Sequence, residues 1–438
     1  MNKSLYIVAF SLAFATTGIA QNNEGQDKVI DLGTQTTTEL RKTQAVSTIY
    51  SDELDKNATT SPYNAIYGLL PGLSVMQNTS WGTDKSRLNV RGRGSLNGDT
   101  PLFVVDGFAR PLEYINLSEI ESISVLKDGA ATALWGGRGA NGVVLITTKR
   151  GIYNQKDIKV DYKFGLGLPV NQPEFADAYT YAKARNEALR YDGLQPDMDE
   201  ASFLSGGNSD LYPNVDWQKE ALRNHTTSHQ LDITFRGGGK RLRYFSVLNY
   251  KNDMGLLNSK YTDYTDRYNS QMKKYFLNLR MNLDVDITDA TKLKLSMLGM
   301  LRETKRPTTS EATLFEQIFN TPSAAFPVQT QNGFWGSNNV LKTNPIANLA
   351  DVGYYKLNQR MLQADLRLVQ DLSVLTRGLS AELAIAYDNN ATYQETAKKS
   401  FMYQTIEKGI DGEPIYTNYG NPNDELEISN KGLANQYI

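Results

Sequence analysis

Leu277-Asn278-Leu279-Arg280-Met281-Asn282-Leu283-Asp284-Val285-Asp286-Ile287 is apolar at every odd position and polar or charged at every even one. A period of two is the signature of a β-strand, whose successive side chains leave by opposite faces. The run is about twice the length of an ordinary strand and near that of a tilted strand crossing a bilayer, roughly 9–11 residues. Its polar face gathers Arg280, Asp284 and Asp286, which suits a water-filled interior. The same alternation recurs at 158–166, 231–235, 293–297, 362–368 and 379–387. Gly237-Gly238-Gly239-Lys240 and Thr288-Asp289-Ala290-Thr291 join neighbouring runs as tight hairpins. Long polar, aromatic segments at 167–228 and 303–358 alternate with these turns, and that asymmetry belongs to an antiparallel transmembrane β-barrel. A soluble β-sandwich shares the alternation, with shorter apolar faces.

The chain has 438 residues, no cysteine, only two histidines (His225 and His229) and a formal charge of −2. Those counts exclude a disulfide framework, a Cys-ligated metal site and a thiol nucleophile, and leave little for imidazole chemistry. A broad cationic face for nucleic acid is also excluded. No catalytic residue, cofactor or metal site is assigned, and the chain does not read as an enzyme. Asp197, Asp199 and Glu200, or Asp284 with Asp286, offer carboxylate pairs of the kind a glycosidase needs, and the first group could take Ca²⁺. Acids in loops and on a lumen face are more often simply solvated.

Residues 1–20 read as a signal peptide: Lys3, an apolar run over 5–15, then Gly18-Ile19-Ala20 ahead of a cut after Ala20. The run is too short to span a bilayer as a helix. Residues 21–45 form a polar, flexible arm with one apolar cluster around Val29-Ile30-Asp31-Leu32. From 46 to 150 the texture is that of a small α+β domain. Strands are expected at 73–76, 88–90, 102–105, 123–126 and 143–146, with one helix from Ser61-Pro62 to Pro71-Gly72 and a helical turn over 128–134. Residues 151–438 carry the barrel strands.

Within 46–150, the segment Asp128-Gly129-Ala130-Ala131-Thr132-Ala133-Leu134-Trp135-Gly136-Gly137-Arg138-Gly139-Ala140-Asn141-Gly142-Val143 resembles the signature of the SusC/RagA family of TonB-dependent outer-membrane transporters. Arg91-Gly92-Arg93-Gly94 and Val105-Asp106-Gly107 resemble the plug-domain motifs of that family. The resemblance implies an α+β plug followed by an antiparallel transmembrane barrel in the outer membrane. It also implies TonB as the energy-coupling partner, a SusD-like surface lipoprotein as lid, and oligosaccharides or peptides as cargo. A siderophore or cobalamin receptor is the alternative within transport, and a secreted β-rich binding protein or adhesin the alternative outside it. Val29, Ile30, Asp31 and Leu32 stand where such transporters carry the segment that TonB grips; an extended peptide of this kind can add to a partner's sheet edge.

The motif glycines would allow tight turns and close approach of plug to wall. Arg87, Arg91, Arg93 and Arg138 are expected to hold the plug through lumen acids such as Asp284 and Asp286, or else to bind an anion. Trp217, Phe334, Trp335, Tyr354 and Tyr355 are expected in an interfacial girdle rather than stacked on sugars. A plugged barrel of about 22 strands needs more chain than residues 151–438 supply for the seven or eight strands recognisable there. The barrel is therefore expected to be incomplete, as in the N-terminal part of a transporter. The separate sandwich domain that many members carry ahead of the arm is not expected here.

Overall fold

The computed structural model describes residues 10–13 and 29–437, apart from 34–35, 39–40, 55, 57–58, 60, 78–85, 96–97, 171 and 422–424. Most of the expected signal peptide and the first part of the arm lie outside the described residues.

Eight long strands form an antiparallel wall in chain order: Lys156–Gly167, Thr226–Gly238, Leu242–Met254, Lys273–Asp286, Thr291–Pro307, Gly353–Asp371, Ser380–Lys398 and Glu427–Tyr437. Phe10–Ala13 adds a ninth on the outer edge, pairing with 161–164. That neighbour exists only in a chain not cut after Ala20. The described wall is an open sheet, so the barrel is incomplete.

Register carries the alternation across the wall. Leu279 faces Leu248 on one side and Gly299 on the other, while Arg280 faces Val247 and Leu298. Leu277, Leu279, Met281, Leu301 and Leu362 are exposed on the outer face; Asn278, Arg280, Asn282 and Asp284 are buried on the inner one. Several strands exceed the expected 8–11 residues, reaching 19 in Gly353–Asp371 and Ser380–Lys398. Their upper halves are polar on both faces, which hides the period of two.

The plug fills the concave side. Its five-stranded sheet runs in the order Val46–Tyr50, Ile120–Leu126, Val143–Thr148, Leu102–Val105, Phe108–Ala109. Ile120–Leu126 and Val143–Thr148 are almost wholly buried; the second carries the unbroken apolar run 143–146, while the first buries Ser122 and Ser124 among its apolar residues. Leu73–Met76 and Arg87–Val90 form a separate hairpin. All five expected plug strands are present, and Val46–Tyr50 and Phe108–Ala109 are additional. The expected helix is much shorter: only Pro62–Ala65 is α-helical, and Ser61 makes no side-chain cap bond. The second helical turn is the short helix Gly129–Thr132, continued as a 3₁₀ stretch to Gly139.

The long excursions are not loose loops. They contain helices Ala178–Tyr191, Trp217–Ala221, Glu311–Asn320 and Pro345–Ala350. A three-stranded sheet joins Trp335–Ser337 to Met402–Lys408 and Pro414–Gly420. Trp217, Leu257, Tyr261, Leu314, Phe326, Trp335 and Ile346 share one hydrophobic core there. Trp217 and Trp335 therefore do not belong to an interfacial girdle. Their indole N–H groups donate to the Pro322 carbonyl and the Asp351 carboxylate, both at 3.1 Å. Tyr355 lies under the Arg306 guanidinium and Tyr354 bonds Glu395. The outward-facing rings that do flank the apolar band come from the strands: Tyr162, Phe164, Tyr250, Tyr275 and Tyr393 towards the excursions, Phe235 and Tyr244 towards the tight turns.

Candidate functional site

The site is the seam between plug and wall, together with the arm docked on the plug. At its centre, Glu119 closes a 3₁₀ turn whose capping box ties it to Asn116. The Arg280 Nε of the wall donates to its carboxylate at 2.5 Å, and Asn278 donates to the other oxygen. Side-chain exposure is 0% for Glu119 and 2% for Arg280. Burial drives the Glu119 pKa up, against the pull of the Arg280 charge. Beside them, Asn116 donates to Asp232 of the wall at 2.9 Å. Asn282 donates to Thr148 Oγ1 and the Lys149 carbonyl.

A second cluster sits on the same inner face, two and three strands further along the wall. Arg110 donates to Asp365 and to Asp388, from adjacent wall strands, with contacts of 2.5–3.0 Å. Burial opposes the Arg110 charge, but the two carboxylates more than offset this and hold its pKa above the usual range. A fork of five donors reaching two carboxylates is geometry a lysine could not reproduce. Where the plug chain leaves for the wall, Arg150 pairs with Asp284 at 3.1 Å, and the Tyr153 hydroxyl donates to Asp286. Apolar contact across the seam is small, centred on Tyr114, Met300 and Met361.

This overturns the expected partners of the motif arginines. Arg87 and Arg93 both pair with Asp99, inside the plug, at 2.8 and 3.1 Å. The Arg87 hydrogen bond is the largest influence on Asp99 and holds its carboxyl below the ordinary value. Arg138 is exposed and, with Arg87, Arg110, Tyr63, Phe103 and Glu113, lines a plug cavity of about 550 Å³. Arg91, Gly92, Arg93 and Gly94 are an exposed turn, with the Arg91 N–H bonded to the Gly72 carbonyl. Alternation places Arg280 on the inner face without naming its plug partner, and it gives no sign of Arg110, or of Arg236, Arg302 and Arg367, which also cross the seam. Asp365 and Asp388 could have been flagged from their place on the polar side of alternating runs.

Other motif residues act locally. Asp106 and Gly107, at φ +48° and +91°, make the two-residue turn between Val105 and Phe108, a shape that favours Asp-Gly. A Cβ on Gly107 would lie 2.8 Å from Arg367 of the wall, whose Nη2 donates to the Asp106 carbonyl at 2.7 Å. The Asp106 carboxylate bonds Thr148. Asp128 caps its helix by accepting the Ala131 N–H and also accepts the Ala45 N–H, both at 2.7 Å. These two backbone bonds hold its pKa below the ordinary value. Gly142 packs on Val90, Gly139 on Trp135 and Thr132, and Asn141 donates to the Gly98 carbonyl.

The arm is not free. Val29–Asp31 pairs with Thr36–Thr38 as a small hairpin. Ile30 and Leu32 are buried in a core with Val46, Val104, Leu126, Val143 and Leu145 of the plug. The carboxylates considered for Ca²⁺ are engaged otherwise: Asp197 with Arg185, Asp199 as a helix cap, Glu200 with Asn186 and Arg190. Among the described residues, no three metal-binding side chains converge.

Residues 38–143 match the TonB-dependent Receptor Plug Domain family. Over 283 residues the chain is 30% identical to the TonB-dependent receptor SusC of Bacteroides thetaiotaomicron, an alignment covering 61% of this chain and 26% of that protein. Within residues 38–143 the chain carries a TonB-dependent receptor plug domain, and over a longer stretch it is similar to SusC-type receptors. TonB-dependent receptor P26 of Formosa agariphila is 28% identical over 281 residues, covering 62% of this chain and 26% of P26. The RagAB peptide importer in its closed-closed state has the same fold, with a TM-score of 0.65 at 19% identity, covering 81% of this chain and 42% of that one. The receptor chain thus spans about a quarter of the length of the curated relatives it matches.

Proposed function

We propose that this receptor chain forms the stopper and part of the wall of an outer-membrane importer. It would take oligosaccharides or peptides from a SusD-like surface lipoprotein and open under tension from TonB. The observation that carries this reading is the make-up of the seam. The plug has its own apolar core, of which Ile49, Leu88, Ile120 and Val144 are part, and is joined to the wall largely by ion pairs and hydrogen bonds. Such a seam can be remade in water after it breaks, so a plug can shift without unfolding the wall. No covalent step is involved.

The arm supplies the handle. Val29, Ile30, Asp31 and Leu32 can leave their hairpin and add as a strand to TonB, backbone bonds replacing those made to Thr36–Thr38. Deletion of residues 29–32 is expected to abolish uptake of labelled cargo while leaving cargo binding at the cell surface unchanged. Uptake at the wild-type rate in that deletion would refute the assignment. Export after cleavage near Ala20 is read out by N-terminal sequencing of the mature chain from the outer-membrane fraction.

A further inference from the structure

Lys273, Lys305 and Lys356 stand directly opposite one another on three adjacent wall strands. All three share the outward parity of Leu277, Leu301 and Leu362, so they lie on the outer face of the wall. Arg360 is on the same face, opposite Leu301 and exposed. Like charges directly opposite in a sheet repel. The wall acids facing the same way are Glu303, paired with Lys356 at 3.2 Å, and Glu395, which is opposite Lys356 and accepts the Tyr354 hydroxyl. Lys273, Lys305 and Arg360 make no ion pair among the described residues.

Height along the wall says what the row faces. The alternating band from Leu277 to Ile287 covers roughly 33 Å of strand, or about 25 Å of membrane once the strand tilts. The lysine row is four residues beyond Leu277, on the side of the long excursions, with Tyr275 and Tyr393 between. Lysine stems can lie along apolar wall there while their ammonium groups reach the headgroup layer. A row placed at that height, on the lipid side of the wall and short of acidic partners, is complementary to anionic headgroups.

We propose that Lys273, Lys305, Lys356 and Arg360 form a site for the phosphate groups of an outer-leaflet lipid. The proposal rests on the membrane-spanning reading of the wall. It adds a lipid ligand, on the face opposite the cargo path, to what that reading requires.

The test uses the full chain purified in detergent micelles doped either with a phosphorylated glycolipid or with the same lipid after phosphatase treatment. Retained lipid is counted by native mass spectrometry. The wild type should hold the phosphorylated lipid at least tenfold better than the dephosphorylated one. K273Q/K305Q/K356Q/R360Q should lose that preference, whereas K273R/K305R/K356R keeps it. Lys163→Gln, opposite Gln230 on the lumen side of the wall, should have no effect. Equal retention by wild type and the quadruple variant overturns the proposal. Displacement of the lipid by millimolar inorganic phosphate also overturns it, in favour of a free-anion site. The micelle assay reads the row wherever the chain resides; loss of the chain from the outer-membrane fraction would instead count against the membrane reading.

Discussion

Glu119 of the plug and Arg280 of the wall form an ion pair with both side chains withdrawn from water, and Asn278 completes the cradle. Removing either partner strands the other charge in a buried site. Arg280→Met or Glu119→Leu alone should therefore cost about 3–5 kcal/mol, whereas the two together should cost far less. A double-mutant cycle on urea unfolding of the plug measures this. Additive losses would show that the pair is not coupled.

Arg110 reaches two carboxylates that repel each other without it. Arg110→Ala should loosen the plug and raise passive entry of a large antibiotic, and Arg110→Lys should recover only part of the seal. Single-channel conductance of the closed barrel in planar bilayers, expected near zero with Arg110 and raised in Arg110→Ala, gives the same information without relying on growth.

Gly142, at φ +88°, faces Val90 so closely that an added Cβ would lie 2.8 Å away. Gly142→Ala should lower plug stability by about 1–3 kcal/mol. Val90→Ala in the same chain relieves the clash but not the backbone strain, so rescue should be partial. Full rescue in thermal unfolding would assign the whole cost to the clash.

Asp128 is bonded to two backbone N–H groups, and its pKa lies below that of an unfolded aspartate. A depressed carboxyl stabilises the fold above the unfolded pKa of about 3.9. That contribution is lost as pH falls through the lower folded value. Asp128→Ala should cost about 0.5–2 kcal/mol at neutral pH and flatten the acid limb of the plug's stability curve. A melting series from pH 7 to pH 2 on wild type and variant checks both parts.

Ile30 and Leu32 anchor the arm in an apolar pocket of the plug. Ile30→Ala with Leu32→Ala should free it, since each lost side chain costs about 2–5 kcal/mol in a packed core. Limited proteolysis should then cut near residue 30 quickly while residues 46–150 stay intact. Protection equal to wild type would place the arm's affinity elsewhere.

The parts legible in the sequence were those where one physical constraint acts alone. Alternation is clean from Leu277 to Ile287 because one face is left exposed and apolar while the other meets the plug. Above Tyr275 both faces are polar, and strands such as Gly353–Asp371 continue unannounced. The plug motif is legible because its turns need Asp106-Gly107 and Gly142. The seam is not, since the partner of an arginine depends on how the plug is rotated within the wall; alternation puts Arg280 on the inner face but does not name Glu119, and Arg110 carries no local mark. The helices of the excursions had signals that aromatic content obscured: Asp177 and Ser310 cap two of them, and Asn344-Pro345 opens a third.

The core shared by Trp217, Leu257, Phe326 and Ile346 draws its residues from three separate excursions, and the sheet through Trp335–Ser337 and Met402–Lys408 brings in a fourth. Grafting one excursion from a relative would import half of a packed interior without its complement. Changes of recognition in this lineage should accordingly be inherited as a block, with the four segments varying in concert, and chimaeras built one segment at a time should misfold above an intact wall.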